Sequence, residues 1–140
     1  ALGLEHEAIN AYQLGAGSGL LQKGVLDVAV SFQGHHKAHR DALIATIQKL
    51  GGTPVAEKKL DDYAKALKAD TLRNQADVLD LAARLELGAT NAYLGVIPSL
   101  GSKDLAKVAA RLAADETMHF TVLTSALGRP LPAGALSYGA

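Results

Sequence analysis

The 140-residue sequence contains no cysteine. This absence excludes disulfide bonds, thiolate metal ligands and cysteine nucleophiles together. Any metal site in the chain would therefore use oxygen and nitrogen ligands only. The absence leaves the compartment open between cytoplasm and periplasm, and no signal peptide opens the sequence. The first residues already have a helical pattern without an N-cap, as we expect if a leader has been removed.

The sequence also lacks an excess of either charge and any long uncharged run. Fourteen Lys and Arg residues balance fourteen Asp and Glu residues, so there is no basic surplus of the kind that nucleic-acid binding requires. The longest uncharged run covers 16 residues, 87–102, whereas a membrane-spanning helix needs about 20 mostly apolar residues. We therefore expect neither a nucleic-acid partner nor a membrane span.

Aromatic residues are scarce, at 4 % with no tryptophan, while 49 % of the residues are hydrophobic. Alanine and leucine dominate this apolar fraction, which is typical of helices packed on helices rather than of β-sandwiches. The length suits one domain with a full core, so we predict a single all-α domain over residues 1–140.

Apolar residues at spacings of three and four predict four long helices. Glycines at 15, 17 and 19, the pair Gly51-Gly52, then Gly101 and Gly128 mark the turns between and after them. The predicted helices cover about residues 1–17, 24–50, 70–100 and 103–127, with Asp70 as N-cap of the third and a short helix at about 56–69. Two short turns give two antiparallel hairpins, and the connection between them can run along helices about 37 Å long. The predicted fold is a four-helix bundle with one long crossover between helices 2 and 3. The tail from residue 131 has no helical period and is predicted to lie loosely on the surface.

Six polar residues interrupt the apolar faces of the four helices. A buried carboxylate without a partner costs several kcal/mol or is driven to protonate, so six such positions need a common explanation. They are Glu5, His36, His39, Glu86, Glu116 and His119.

The chain also contains an internal duplication of a helical hairpin, with a period of about 80 residues. The pattern Leu-Glu-x-x-Ala-x-Asn-Ala-Tyr occurs at 4–12 and again at 85–93, and His36-x-x-His39 aligns with Glu116-x-x-His119. Residues on antiparallel helices lie at one level when they are equally far from the turn. The midpoint of residues 86 and 116 is 101, and that of 5 and 36 lies between 20 and 21. Both midpoints fall in the predicted turns, so the polar residues of each hairpin should converge.

These residues resemble the ferritin-like superfamily, in which two helices each give one Glu and the other two each give Glu-x-x-His. Glu5 and Glu86 match the single glutamates, and Glu116-x-x-His119 matches one Glu-x-x-His motif in full. The resemblance covers about residues 1–127 and is nearest to bacterial ferritin-like domains of unknown function. It implies a di-iron carboxylate type of site with Glu5, His36, His39, Glu86, Glu116 and His119 as metal ligands. It also implies binding of ferrous iron and oxidation by O₂ or peroxide, that is, ferroxidase-like enzyme chemistry.

The second helix departs from the family pattern, because His36 stands where the family has the Glu of Glu-x-x-His. Three carboxylates remain against the four that would balance two divalent ions, so a mononuclear site competes with a dinuclear one. Three Glu and three His suit Fe, Mn or Zn, with iron favoured by the resemblance.

Two other functions stay open at this point. The chain could be a metal-free helical scaffold or homodimeric interaction module with a degenerate site, or a binder of small or lipid-like molecules in a cleft between helices. Low aromatic content and the absence of a methionine-rich groove count against the last. Tyr12 and Tyr93 are predicted as core aromatics, and His6 is predicted to face solvent beside Glu5.

Overall fold

The computed structural model describes residues 1–139, which contain five α-helices and no β-strand. The helices are α1 (Leu2–Gly17), α2 (Lys23–Lys49), α3 (Leu60–Ala66), α4 (Gln75–Val96) and α5 (Lys103–Ala126). Short 3₁₀ helices cover Ala69–Thr71 and Ile97–Ser99. The predicted all-α class is confirmed. None of the described helices combines the length and hydrophobicity that crossing a membrane would demand.

The described chain divides into two compact units, one from Ala1 to Val78 and the other from Leu79 onward. In the first unit α1 contacts α2, and the edge of the Tyr12 ring meets Phe32 with the centroids 6.2 Å apart. Tyr12 and Phe32 are both buried and belong to the apolar core of this unit. Gly15 allows a close approach to the start of α4, because a Cβ atom there would lie 2.9 Å from Val78 Cγ1. A larger residue at position 15 would therefore push against this core.

Helix α2 ends as its glycine pair predicts. Gly51 adopts φ +80°, its N–H donates to the carbonyl of Gln48, and the N–H of Gly52 donates to the carbonyl of Ile47. This is a Schellman motif, in which a left-handed glycine satisfies the last free carbonyls of a helix. Helix α5 ends in the same way at Gly128.

The connection after α2 differs in detail from the predicted short helix at 56–69. Residues 52–59 are not helical, and the helix proper covers only Leu60–Ala66. The phenol of the buried Tyr63 accepts a hydrogen bond from the N–H of Lys58, which fixes the entry into this helix. Helix α3 lies against α1.

The third long helix begins at Gln75 rather than near Asp70. The Asn74 side chain accepts from the N–H of Asp77, and the Asp77 carboxylate accepts from the N–H of Arg73. These two bonds place the N-cap at Asn74, four residues after Asp70, because the Asn74 side chain satisfies a free N–H group in the first turn of the helix. The helix ends at Val96, since Pro98 cannot continue it.

In the second unit α4 and α5 are joined by a short turn, and Ser102 caps α5 by accepting from the N–H of Leu105. The tail after α5 lies at the surface as predicted, but its end is anchored rather than loose. The N–H of Gly139 donates to Asn91 Oδ1 at 2.8 Å, and the Tyr138 ring meets Phe120 edge-on. The tail has no periodic pattern from which its contacts could be predicted. Its partners, Asn91 and Phe120, lie far away in the chain.

Candidate metal-binding clusters

The first unit contains a buried cluster of one carboxylate and two imidazoles. Glu5 comes from α1, and His36 and His39 come from successive turns of the same face of α2. Glu5 Oε2 lies 2.8 Å from His36 Nδ1 and 3.5 Å from His39 Nδ1. Each residue offers a ligand atom, and these atoms lie within 4.8 Å of one another. The predicted convergence within the first hairpin is therefore present in the structure.

Aromatic packing holds the first cluster in place. The ring centroids of Tyr12 and His36 lie 5.5 Å apart. Those of His36 and His39 lie 5.6 Å apart, with the two rings almost perpendicular. His36 is fully inaccessible to solvent and Glu5 is 1 % exposed. Such burial removes the hydration that would otherwise stabilise a carboxylate, so its imidazole neighbours or a cation must replace it.

The second unit contains a cluster with the opposite balance, two carboxylates and one imidazole. His119 Nδ1 lies 3.3 Å from Glu86 Oε1 and 3.3 Å from Glu116 Oε2. Glu86 projects from α4, and Glu116 and His119 lie three residues apart on α5. Their ligand atoms again lie within 4.8 Å of one another, and all three residues are at most 1 % exposed.

The electrostatics of the second cluster favour a positive charge. Burial by itself would lower the pKa of His119, but the hydrogen bonds to Glu116 and Glu86 outweigh it and raise the pKa of the imidazole. The two glutamates thus stabilise the protonated imidazole, whose positive charge offsets part of their negative charge. A divalent cation bound by the same three groups would do so more fully and would require the neutral imidazole.

The donor sets fit a transition metal. With no cysteine, both clusters offer carboxylate oxygen and imidazole nitrogen, the ligand types that suit iron, manganese and zinc. The six residues that the sequence predicted as ligands are all buried, and their binding of a metal stays a prediction.

A ferritin-like domain family model matches residues 1–129. The chain belongs to the ferritin-like domain family. No curated protein and no solved structure matches it. The family match covers both clusters of this ferritin-like protein and confirms the resemblance on which their prediction rested.

His6 is where the sequence reasoning fails. Expected in solvent, it is buried, and its Nε2–H donates to the carbonyl of Val55 in the connection after α2, at 3.0 Å. Asn10, one turn further on, donates from Nδ2 to Glu57 Oε1 at 2.6 Å. Both residues hold the start of the long connection against α1, so they serve the fold around the first cluster.

The duplication contained a signal for this role. Asn10 of the first repeat corresponds to Asn91 of the second, and Asn91 accepts from Gly139 in the tail. Each repeat thus uses the same asparagine to anchor the irregular segment that follows its hairpin. A polar residue retained in both repeats, but outside the predicted metal ligands, was the available clue.

Proposed function

We propose that this ferritin-like protein binds iron through its two buried clusters and promotes oxidation of ferrous iron by O₂ or peroxide. The observation that carries the proposal is the pair of buried three-residue sets, each with ligand atoms within 4.8 Å of one another. Membership of the ferritin-like domain family and these buried His and Glu groups suggest metal binding, and the donor types support iron, manganese or zinc.

The cluster of Glu86, Glu116 and His119 has the charge that one divalent ion requires. Its two ionised carboxylates balance the two positive charges of Fe(II). Two ferrous ions would together supply the two electrons that reduce one peroxide to two waters with uptake of two protons.

The chain's own contribution to this chemistry is to hold the ions and to limit access of water. The glutamates bring compensating negative charge into an environment where charge interactions are strong. The histidines bind as neutral imidazoles, so binding at His119 displaces a proton. Metal affinity should therefore fall as the pH is lowered through the raised pKa of His119.

Anaerobic titration with Fe(II), followed by metal analysis of the desalted protein, tests the proposal. Glu116→Gln and Glu5→Gln should each lower the amount of iron that stays bound. Glu7→Gln is the matched control, because Glu7 lies two residues from Glu5 and belongs to neither cluster. Admitting O₂ or peroxide to the loaded protein then measures oxidation. Less than about 0.1 equivalent of any transition metal after reconstitution would refute the proposal.

A metal-free scaffold is the second candidate function, and one observation favours it. Glu5 and His36 already pair at 2.8 Å, and His119 carries a raised pKa between two glutamates, so imidazoles partly compensate the carboxylates without an ion. This alternative predicts that a chelator leaves the melting temperature unchanged. A homodimeric interaction module would in addition sediment as a dimer.

A further inference from the structure

The second unit contains a partly open cavity of about 270 Å³ between α4, α5 and the tail. Leu87, Phe120 and Tyr138 contribute apolar surface, and Arg84 and Arg129 contribute guanidinium groups. None of Glu86, Glu116 and His119 lines it. The residues that line the cavity are therefore different from the proposed metal ligands of the same unit.

The roof of the cavity is fixed in place. The Tyr138 ring packs edge-on against Phe120, with centroids 6.1 Å apart and an interplanar angle of 84°. Gly139 adopts φ +78° and donates to Asn91, and a Cβ atom there would lie 2.8 Å from Leu94 Cβ. These contacts hold the end of the tail, including Tyr138, against α4 and α5.

The charged edge of the cavity carries a surplus of positive charge. Asp80 accepts from Arg84 Nε at 3.0 Å and from Arg129 Nη2. One carboxylate therefore faces two guanidinium groups. A guanidinium has five N–H donors, and these contacts engage one nitrogen of each arginine. Donors in the fork geometry that suits a carboxylate remain beside the apolar lining.

We propose that this cavity binds a small aromatic carboxylate, with its ring among Leu87, Phe120 and Tyr138 and its carboxylate on Arg84 and Arg129. An apolar protein cavity of about 150 Å³ accommodates benzene, so the volume here suffices for one ring and a carboxylate. Edge-to-face contacts with Phe120 and Tyr138 favour an aromatic ring over an alkyl chain of equal size. The guanidinium groups favour the anion over its neutral amide.

Titration of the full chain with benzoate, followed by ¹H–¹⁵N NMR, tests this proposal. Benzamide serves as the uncharged ligand of the same shape. We expect benzoate to shift the amide signals of Phe120, Thr121 and Tyr138, and benzamide to bind about tenfold more weakly or worse. Equal binding of the two ligands, or no shift at these residues with millimolar benzoate, would overturn the proposal.

Two variants separate charge recognition from loss of tail anchoring, because both break the same ion pair. Arg129→Gln should weaken benzoate binding by about tenfold, whereas Asp80→Asn should strengthen it by removing the competing carboxylate. Arg111→Gln is the matched control, since Arg111 lies on α5 but does not line the cavity. If both variants weakened binding, anchoring of the tail rather than charge would be responsible, and the proposal would fail. A failure of the benzoate proposal would not affect the proposed binding of metal by Glu86 and Glu116.

Discussion

At the scale of single residues, His36 determines the charge of the first cluster. Its imidazole contacts Glu5 at 2.8 Å in the position where the family pattern has a glutamate. A buried histidine there gives the carboxylate a hydrogen-bonding partner in the absence of metal, so the demand for a cation is lower. A side chain at position 36 that stabilises the metal-free protein should therefore lower its affinity for a second ion.

His36→Glu should test this opposition. We expect the metal-free variant to melt at a lower temperature than the parent, because two carboxylates would share one buried site. Excess Fe(II) or Zn(II) should restore much of the loss and add a tightly bound ion. His35→Glu introduces the same charge at the neighbouring half-buried position and should show no such rescue. Equal destabilisation of His36→Glu with and without metal would contradict the prediction.

Asp80 gives a prediction about pH. The hydrogen bond from Arg129 lowers the pKa of Asp80 against the opposing effect of partial burial, and Arg84 lowers it further. Since the folded-state pKa is depressed, the stabilisation is present above the unfolded value of about 3.9 and is lost as the pH falls through the folded value.

Asp80→Asn should accordingly lower the free energy of unfolding at neutral pH, and its difference from the parent should shrink in acid. Urea denaturation across this pH range measures the difference. A double-mutant cycle with Arg129→Gln assigns it to the ion pair. A difference that does not change with pH would exclude this electrostatic origin.

At the scale of elements, each hairpin of the duplication anchors an irregular segment. Asn10 bonds Glu57 in the long connection, and Asn91 bonds Gly139 in the tail. Both second helices of the hairpins also end in Schellman motifs that direct the chain into these segments. The repeated element is therefore the hairpin together with its exit and its anchor.

Asn10→Ala should increase hydrogen exchange in residues 53–58 and leave the tail unchanged, while Asn91→Ala should do the converse for residues 133–139. Each variant loses one hydrogen bond, worth about 0.5–1.5 kcal/mol. The two variants are controls for each other. Increased exchange across the whole chain in either case would show that the asparagine supports global rather than local stability.

The glycines of α1 and α2 give a matched comparison. Gly34→Ala should stabilise the protein by about 0.5–1 kcal/mol, because a Cβ atom there meets nothing within 4 Å. Gly15→Ala should instead destabilise it by about 1–3 kcal/mol, since the new atom overlaps Val78. Thermal unfolding of the two variants measures the contrast, and equal effects would mean that Val78 yields easily.

At the scale of the whole molecule, metal should be linked to folding. Binding to the native state alone contributes about 2.7 kcal/mol at a free metal concentration of 100 times Kd. For a chain of this length that corresponds to a rise in Tm of about 5–10 °C. Calorimetry with Fe(II) or Zn(II), and again after a chelator, measures the shift. The double variant Glu5→Gln, Glu116→Gln should lose it, and a chelator-insensitive parent would favour the metal-free scaffold.

Most helix ends were predictable because their signals are local. Gly51 and Gly128 terminate α2 and α5 as the sequence predicted, and Ser102 caps α5. The start of α4 was misplaced because Asp70 and Asn74 are both good caps, and only the hydrogen bond from the N–H of Asp77 to Asn74 distinguishes them. N-cap preference identified both residues as candidates but could not decide which of them begins the helix.

The sequence by itself determined the helical class, the duplication and the six polar residues on apolar faces, since helical periodicity and equal distances from a turn are properties of the chain. Only the tertiary structure decided that His6 is buried on Val55, that Asn10 and Asn91 anchor the irregular segments, and that the tail covers a cavity. These contacts join residues about 50 positions apart through segments without any period. The energy of these contacts depends on distances in space. The sequence of an aperiodic segment does not predict those distances.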